Sequence, residues 1–189
     1  MATTVSNLVQ GPANLYVADF GTSEASLTTL SSLTAPVTAA GWRAVGGTTD
    51  GVTLTVEQEY SELEVDQVID IPGSRLVKRS LTIETNLAEL TLANFKTALN
   101  GGTIASDVDG VTTYTPIINP TTAEPDYIAL VIDGVGPEGK ARRIIVRKAL
   151  STDSVEFAYN KEDQSVYSVT FTAHFVDGTT APFIIIEAE

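Results

Sequence analysis

Residues 52–85, which read VTLTVEQEYSELEVDQVIDIPGSRLVKRSLTIET, decide the fold class because apolar and polar side chains alternate along them. Strict alternation with a period of two is typical of a β-strand with one buried face. The first face carries Val52, Leu54 and Val56, and the opposite face carries Thr53, Thr55, Glu57 and Glu59. The alternation changes parity at Tyr60–Ser61, which predicts a β-bulge at that point.

The pair Pro72–Gly73 is a turn signal within this stretch, and a second strand follows at about 76–85. The two strands are therefore predicted to form one long antiparallel hairpin. If the pair occupies the centre of the turn, Asp66 faces Arg79 and Asp70 faces Arg75. Such cross-strand pairs contribute roughly 0.2–1 kcal/mol each. We expect the tip of this hairpin to project beyond any compact core.

A short helix follows the hairpin, with Leu92, Phe95 and Leu99 on one stripe. Its N-cap is either Asn86, in a capping box with Glu89, or Thr91. The segment 100–102, Asn-Gly-Gly, ends it. Turn signals separate further predicted strands at 14–20, 111–118, 127–132, 141–150, 155–159, 165–176 and 182–188.

These spacings predict an all-β protein, a β-sandwich or partly closed barrel with one short flanking α-helix and a long protruding β-hairpin. We expect a single domain over residues 1–189. Residues 1–13 are small and polar and are predicted to form a flexible N-terminal arm. Residues 21–41 are rich in Ser, Thr, Ala and Gly and are predicted to form a long irregular loop, which is typical of a functional or disordered segment.

The composition supports the β assignment and excludes several functions. Thr, Val and Ile, which favour strands, account for 58 of 189 residues. A net charge of −13 opposes binding to nucleic acid or to anionic membranes. The absence of cysteine excludes disulfides, thiolate metal sites and a cysteine nucleophile. The first residues lack the pattern of a signal peptide, and no apolar run approaches the roughly 20 residues of a membrane span.

Three motifs with possible chemistry have simpler structural interpretations. Residues 134–140 match G-x-x-x-x-G-K, but Ala141 replaces the Ser or Thr that would bind magnesium, and a strand follows instead of a helix. Residues 107–110, Asp-Val-Asp-Gly, resemble part of a calcium loop without its closing glutamate. His174 is the only histidine and has no recognisable triad partners. We therefore expect no enzymatic activity, no metal site and no cofactor.

Five of the eleven basic residues lie within residues 140–148. Two interpretations remain open at this point. The charges could protect an edge strand from stray pairing. Alternatively, a basic strand on an acidic protein could contact the acidic surface of an identical neighbour.

The strand and helix at 80–102, SLTIETNLAELTLANFKTALNGG, resemble the corresponding segment of major tail proteins, the tail tube subunits of long-tailed bacteriophages. The C-terminal DQSVYSVTFTAHFVDGTTAPFIIIEAE (163–189) resembles the closing strands of that family. The resemblance covers most of residues 42–189 and extends to the ring-forming tube protein of type VI secretion.

The resemblance implies a structural virion protein of the phage tail. Six subunits would form a ring whose inner sheets join into one β-barrel around a channel. Stacked rings would form the tube through which DNA passes without specific binding. Implied partners are further copies of the chain and other tail proteins, such as the tape measure, the tail terminator and the tip, with assembly in the host bacterial cytoplasm. The long hairpin and the N-terminal arm or loop would bridge neighbouring rings.

Glu57 and Glu59 are the candidate channel-lining residues. The candidate subunit-contact residues are Leu63, Val65, Asp66, Ile69, Asp70, Arg75, Leu76, Arg79, Arg142, Arg143 and Arg147. Two alternatives from other classes are a monomeric β-sandwich that serves as a binding or adhesion module, and an enzyme with an acidic site.

Overall fold

The computed structural model describes the chain apart from residues 1–3, 30–32, 34, 65, 67, 68, 119–123, 157, 158, 160, 162 and 189. The strands are β1 (Asn14–Asp19), β2 (Arg43–Ala44), β3 (Thr48–Leu63), β4 (Gly73–Leu87), β5 (Thr103–Ser106), β6 (Thr112–Thr115), β7 (Ile128–Val135), β8 (Ala141–Ser151), β9 (Tyr167–Ala173) and β10 (Phe183–Glu187). Helix α1 spans Leu92–Ala98, and 3-10 turns occur at Val5–Asn7, Ala25–Leu27 and Pro137–Gly139. The prediction of a mainly β protein is confirmed.

Eight strands form one antiparallel sheet in the order β2-β1-β7-β8-β9-β4-β3, and β10 pairs with β8 beside the end of β9. The described strands do not close into a barrel. Strands β5 and β6 form a separate hairpin. The architecture is consistent with the predicted all-β sandwich, because strands from both halves of the sheet contribute to one shared core.

The main core lies between these halves and is completed by α1. Leu15, Ile83, Leu130 and Phe171 contribute side chains that are no more than 1% exposed. The ring of Phe95 contacts two tyrosine rings beneath the helix. This packing provides most of the driving force for a helix as short as α1, because isolated helices of this length are unstable in water.

Thr91, and not Asn86, is the N-cap of α1, since its hydroxyl accepts a hydrogen bond from the backbone N–H of Asn94. Asn94 is fully buried, and its amide donates to the carbonyl oxygens of Val45 (2.7 Å) and Glu89 (2.9 Å). The predicted stop is confirmed, because Asn100 and Gly101 adopt positive φ angles of 54° and 138° directly after the helix. These contacts attach α1 to the base of the β3–β4 hairpin.

The described part of the 21–41 segment packs against the outer face of the sheet as a covering layer. Leu27 and Val37 are 2% and 7% exposed and join a second core with Tyr16, Val131 and Ile145. This role was not predictable from the sequence, because the segment's few apolar residues follow no period. The packing therefore depends on the surface that β1, β7 and β8 present to it.

The predicted register of the hairpin is wrong. Leu63 pairs with Gly73, so residues 64–72 form the connection and Gly73 begins β4 instead of sitting at the turn centre. Arg79 consequently faces Gln58, and Arg75 faces Ser61, rather than the two aspartates. Proline lacks a backbone N–H donor, and Pro72 lies just outside the paired strand, where no ladder bond is lost.

The predicted bulge is confirmed in position, because the register shifts between Glu59 and Tyr60. The extra residue lies in β4, since Glu59 pairs with Lys78 and Tyr60 with Leu76, which leaves Val77 between them. A second irregularity inserts Asp50 and Gly51 into β3, both with positive φ angles. Bulges increase twist, so these two sites bend the hairpin relative to the body.

Four further details of the strands differ from what the sequence suggested. Strand β5 was not predicted, and β7 continues past the predicted end at residue 132 to Val135, so that the turn lies at 136–140. Of the strand predicted at 155–159, the described residues 155, 156 and 159 are not in a strand. Strand β8 is not an edge strand, because β7 pairs with one side of it and β9 and β10 with the other. Its basic residues therefore do not serve as edge protection.

Candidate subunit-contact and channel surfaces

The outer half of the hairpin leaves large apolar side chains in solvent. Ile69 is 105% exposed and Tyr60, Leu63, Ile71 and Val77 are each 55% exposed. Val56 and Leu76 are each 41% exposed. A two-stranded ribbon of this kind is marginally stable when solvated on both faces. Exposed apolar residues concentrated on one element mark an interaction surface more clearly than the same residues scattered singly.

The same hairpin contains most of the residues that were predicted to contact a neighbouring subunit. Leu63 and Leu76 lie on the paired strands, Asp66, Ile69 and Asp70 lie in the exposed connection, and Val65 lies outside the described residues. Arg75 is exposed near the tip. Arg79 lies closer to the body, with its guanidinium carbon 5.8 Å from the centroid of the Phe183 ring. The structure thus gathers the hairpin residues on one element, although without the predicted Asp–Arg pairs.

A polar surface covers the face of β3, β4 and β9 that points away from the main core. We call it the polar face; its residues are Thr53, Thr55, Glu57, Glu59, Lys78, Ser80, Thr82, Glu84, Asn86, Ser168, Thr170 and Thr172. Glu57 accepts a weak hydrogen bond from the Ser80 hydroxyl (3.4 Å), and Glu59 stands opposite Lys78. Asp50 and Asp153 add two carboxylates at its margin through contacts to Asn86 and Thr170. The surface is therefore hydroxyl-rich and acidic.

The three arginines of β8 that were predicted to contact a neighbouring subunit form ion pairs within the chain. Arg142 binds Glu187 of β10, and both side chains are a little over one-third exposed. Arg147 donates to Glu24 (2.6 Å) and to the carbonyl oxygen of Ala181 (2.6 Å). Each carboxylate lies on another element, so chain order alone did not reveal the pairs.

Arg143 is in the interior of the folded chain, with 1% of its surface exposed. Its guanidinium forms two hydrogen bonds to the Asp133 carboxylate, at 2.5 and 2.7 Å. It also donates to the carbonyl oxygens of Leu27 (3.1 Å) and Ala35 (3.3 Å). Because a buried side chain cannot contact a neighbouring subunit, the expectation of a contact role for Arg143 needs correction. It anchors the covering layer to the sheet.

The other sequence motifs form ordinary turns and packing. Residues 136–140 form the β7–β8 turn, and residues 107–110 form the β5–β6 turn. The ring of His174 makes an edge contact with Tyr127 at 5.4 Å between centroids. No cluster of potential metal ligands occurs among the described residues. No helix in that part of the chain has the length and apolar character needed to span a membrane.

Asp177 organises the exposed turn before β10. Its carboxylate accepts backbone N–H bonds from Thr179 and Thr180, both at 2.7 Å, and a hydroxyl bond from Thr179 at 2.8 Å. The backbone bond from Thr179 is the main cause that lowers the pKa of Asp177 far below its ordinary value. Bonds to the ionised form lower a carboxyl pKa in this way without any catalytic role.

Comparison with known proteins identifies the family. No curated protein matches the chain. A family model described as phage tail tube protein matches residues 2–188, which is nearly the whole chain. The match agrees with the mainly β architecture and with the prediction made from residues 80–102 and 163–189. It supports a structural role in the virion tail. The chain therefore belongs to the phage tail tube protein family.

Proposed function

We propose that this chain assembles into hexameric rings, and that the stacked rings form the tube through which phage DNA leaves the virion. The observation that carries the proposal is the exposed apolar surface of the β3–β4 hairpin. While the chain is monomeric, this apolar surface stays in contact with water and stabilises nothing in a fold whose net charge is −13. A neighbouring copy that covers it removes apolar area from water, at about 25 cal/mol per Å².

The polar face is the surface best suited to line the channel. Glu57, Glu59 and Glu84 project from it, and each copy in a ring repeats the same charges. Repeated carboxylates repel DNA phosphates, and hydroxyl side chains offer no strong cationic anchor. DNA would therefore pass along this wall without being retained.

The proposed partners follow from the same role. They are further copies of the chain, the tape measure inside the tube, and the terminator and tip proteins at its two ends. Assembly would take place in the cytoplasm of the host bacterium before the tail joins the virion. The protein would work through shape and charge, with no turnover and no cofactor.

Negative-stain electron microscopy and sedimentation of concentrated protein test the assembly. We expect six-fold rings or tubes whose abundance rises with protein concentration. A chain that sediments as a monomer at every concentration would contradict the proposal.

A charge reversal tests the channel wall. In assembled protein, the double substitution of Glu57→Lys and Glu59→Lys should cause retention of a short DNA that the unsubstituted assemblies release. Glu156→Lys with Glu124→Lys is the matched control, because both residues are exposed and lie off the polar face. Equal retention by the two variants would exclude the polar face as the channel lining.

A further inference from the structure

Asn100, at the end of α1, is the only asparagine in the sequence that precedes a glycine. Asparagine is a thermolabile residue, because the next backbone nitrogen can attack its side-chain amide carbon and close a five-membered ring. A following glycine presents that nitrogen without the steric hindrance of a Cβ atom. The dipeptide Asn100–Gly101 is therefore the place in this chain where the ring closes most readily.

The fold accepts only glycine at position 101. Gly101 has a φ angle of 138°, in the region that other residues rarely adopt. It is buried, and the hydroxyl of Tyr114 donates a hydrogen bond to its carbonyl oxygen (2.9 Å). A Cβ atom added here would lie 2.8 Å from Cδ1 of Ile117 and 3.2 Å from a carboxylate oxygen of Asp126. Backbone conformation and packing therefore both exclude a larger residue.

The fold also uses the side-chain amide of Asn100. Its nitrogen donates to the carbonyl oxygen of Ser151 (2.6 Å), and its oxygen accepts from the backbone N–H of Ser151 (2.7 Å). Ser151 is the last residue of β8, so these bonds tie the end of α1 to the end of that strand. An ionised aspartate could accept one of the two bonds but could not donate the other.

The same contacts keep the two reacting groups from meeting. Ser151 engages both polar atoms of the Asn100 amide, and the attacking nitrogen, that of Gly101, donates to the carbonyl oxygen of Lys96 (3.3 Å). Ring closure would have to break all three bonds and remove a proton from a buried N–H near the carboxylate of Asp126. In the folded chain the reaction therefore waits for local opening, and its rate follows the population of the open form.

We propose that Asn100 is a modification site whose chemistry is controlled by folding. In the unfolded chain the Gly101 nitrogen gives its proton to a base and bonds to the side-chain carbon of Asn100. The carbon–nitrogen bond of the amide then breaks, and the amide nitrogen takes up a proton and leaves as ammonia. Water opens the ring to aspartate or to isoaspartate. The product has gained a carboxylate near that of Asp126 and has lost the donor to Ser151.

This modification distinguishes chains that fold promptly from chains that do not. A folded chain keeps the Asn100 amide, whereas a chain that stays unfolded loses it irreversibly and returns to a weaker fold. The proposal is independent of assembly, because every group in the reaction belongs to one chain.

Peptide mapping by mass spectrometry of the unsubstituted protein tests the control by folding. Samples folded in buffer and unfolded in guanidinium chloride are aged at the same mildly alkaline pH and temperature, and conversion at Asn100 is followed with time. We expect conversion in the folded sample to be slower by on the order of 100-fold, because the open form is rare. A difference of less than about tenfold would overturn the proposal, since local opening would then not limit the reaction.

Tyr114→Phe tests the protective contacts themselves. This variant loses the hydroxyl that bonds to the Gly101 carbonyl oxygen, so conversion in the folded state should accelerate by roughly tenfold, with no change in guanidinium chloride. Tyr60→Phe is the matched control, because its hydroxyl bonds to Gln58 on the hairpin, and it should leave both rates unchanged. An unchanged folded-state rate in Tyr114→Phe would contradict the assignment of these contacts as the protection.

Asn100→Asp reproduces the direct product and tests its effect on stability. Its Tm should fall by roughly 2–12 °C, because the carbonyl oxygen of Ser151 loses its donor. Asn7→Asp adds the same charge at an exposed residue and should leave Tm unchanged. Equal Tm values for Asn100→Asp and the unsubstituted protein would overturn the proposed weakening. All these measurements use dilute protein, so a negative result would leave the proposed assembly intact.

Discussion

Removing the carboxylate of Asp133 should destabilise the protein far more than removing that of Glu187. Both residues face adjacent arginines of β8 in the strand register, so the two substitutions to alanine are chemically matched. They differ in burial. Arg143, the partner of Asp133, is 1% exposed at its side chain, whereas Arg142, the partner of Glu187, is 36% exposed.

The magnitude follows from this difference. Asp133→Ala leaves a buried guanidinium without its carboxylate, and breaking a buried pair in this way costs about 3–5 kcal/mol. Glu187→Ala leaves Arg142 in contact with water, and exposed pairs contribute about 0–1 kcal/mol. For a chain of this size, 1 kcal/mol shifts Tm by roughly 2–4 °C. We expect Tm to fall by roughly 6–20 °C for Asp133→Ala and by no more than about 4 °C for Glu187→Ala.

Thermal and urea unfolding of the two variants, followed by circular dichroism, provides the assay. Limited proteolysis adds a local measurement, because Arg143 also holds the covering layer through two carbonyl oxygens. Cleavage within residues 21–41 should accelerate in Asp133→Ala before the sheet unfolds. Equal shifts in Tm for the two variants, with unchanged cleavage, would refute the assignment of Arg143 as the anchor of that layer.

Three further predictions concern other elements. Thr91→Ala removes the N-cap of α1 and should reduce the free energy of unfolding by about 1 kcal/mol in urea titrations; no change would mean that tertiary packing alone holds the helix. Leu76→Ser should weaken assembly without lowering the Tm of the monomer, because the Leu76 side chain is exposed in the monomer. Val108→Ser on the β5–β6 turn is the control, and it should change neither assembly nor Tm. The carboxyl group of Asp177 should titrate by NMR below its ordinary pKa of 3.8, and titration near 3.8 would contradict the turn geometry. Its contribution to stability is therefore present above pH 3.8 and is lost as the pH falls toward the lower pKa of the folded state.

The sequence by itself determined the fold class, the hairpin, the helix and its glycine stop, and the family. Each of these depends on local patterns, such as period-two alternation, the 3–4 spacing around Phe95, or a glycine at positive φ, and local sterics enforce such patterns wherever they occur. The position of the bulge was also predictable, because a change of parity in β3 requires an irregularity in one of the two paired strands.

Only the tertiary structure decided the register of the hairpin and the partners of the arginines. A turn signal such as Pro72–Gly73 permits several connection lengths, and pairing along the whole of β3 and β4 selects among them. The ion pair of Arg143 joins strands β7 and β8, and its further bonds reach the covering layer more than 100 residues away in the chain. Burial converts that arginine from an apparent surface charge into an interior anchor, and burial is a property of the packed layers that no local pattern contains.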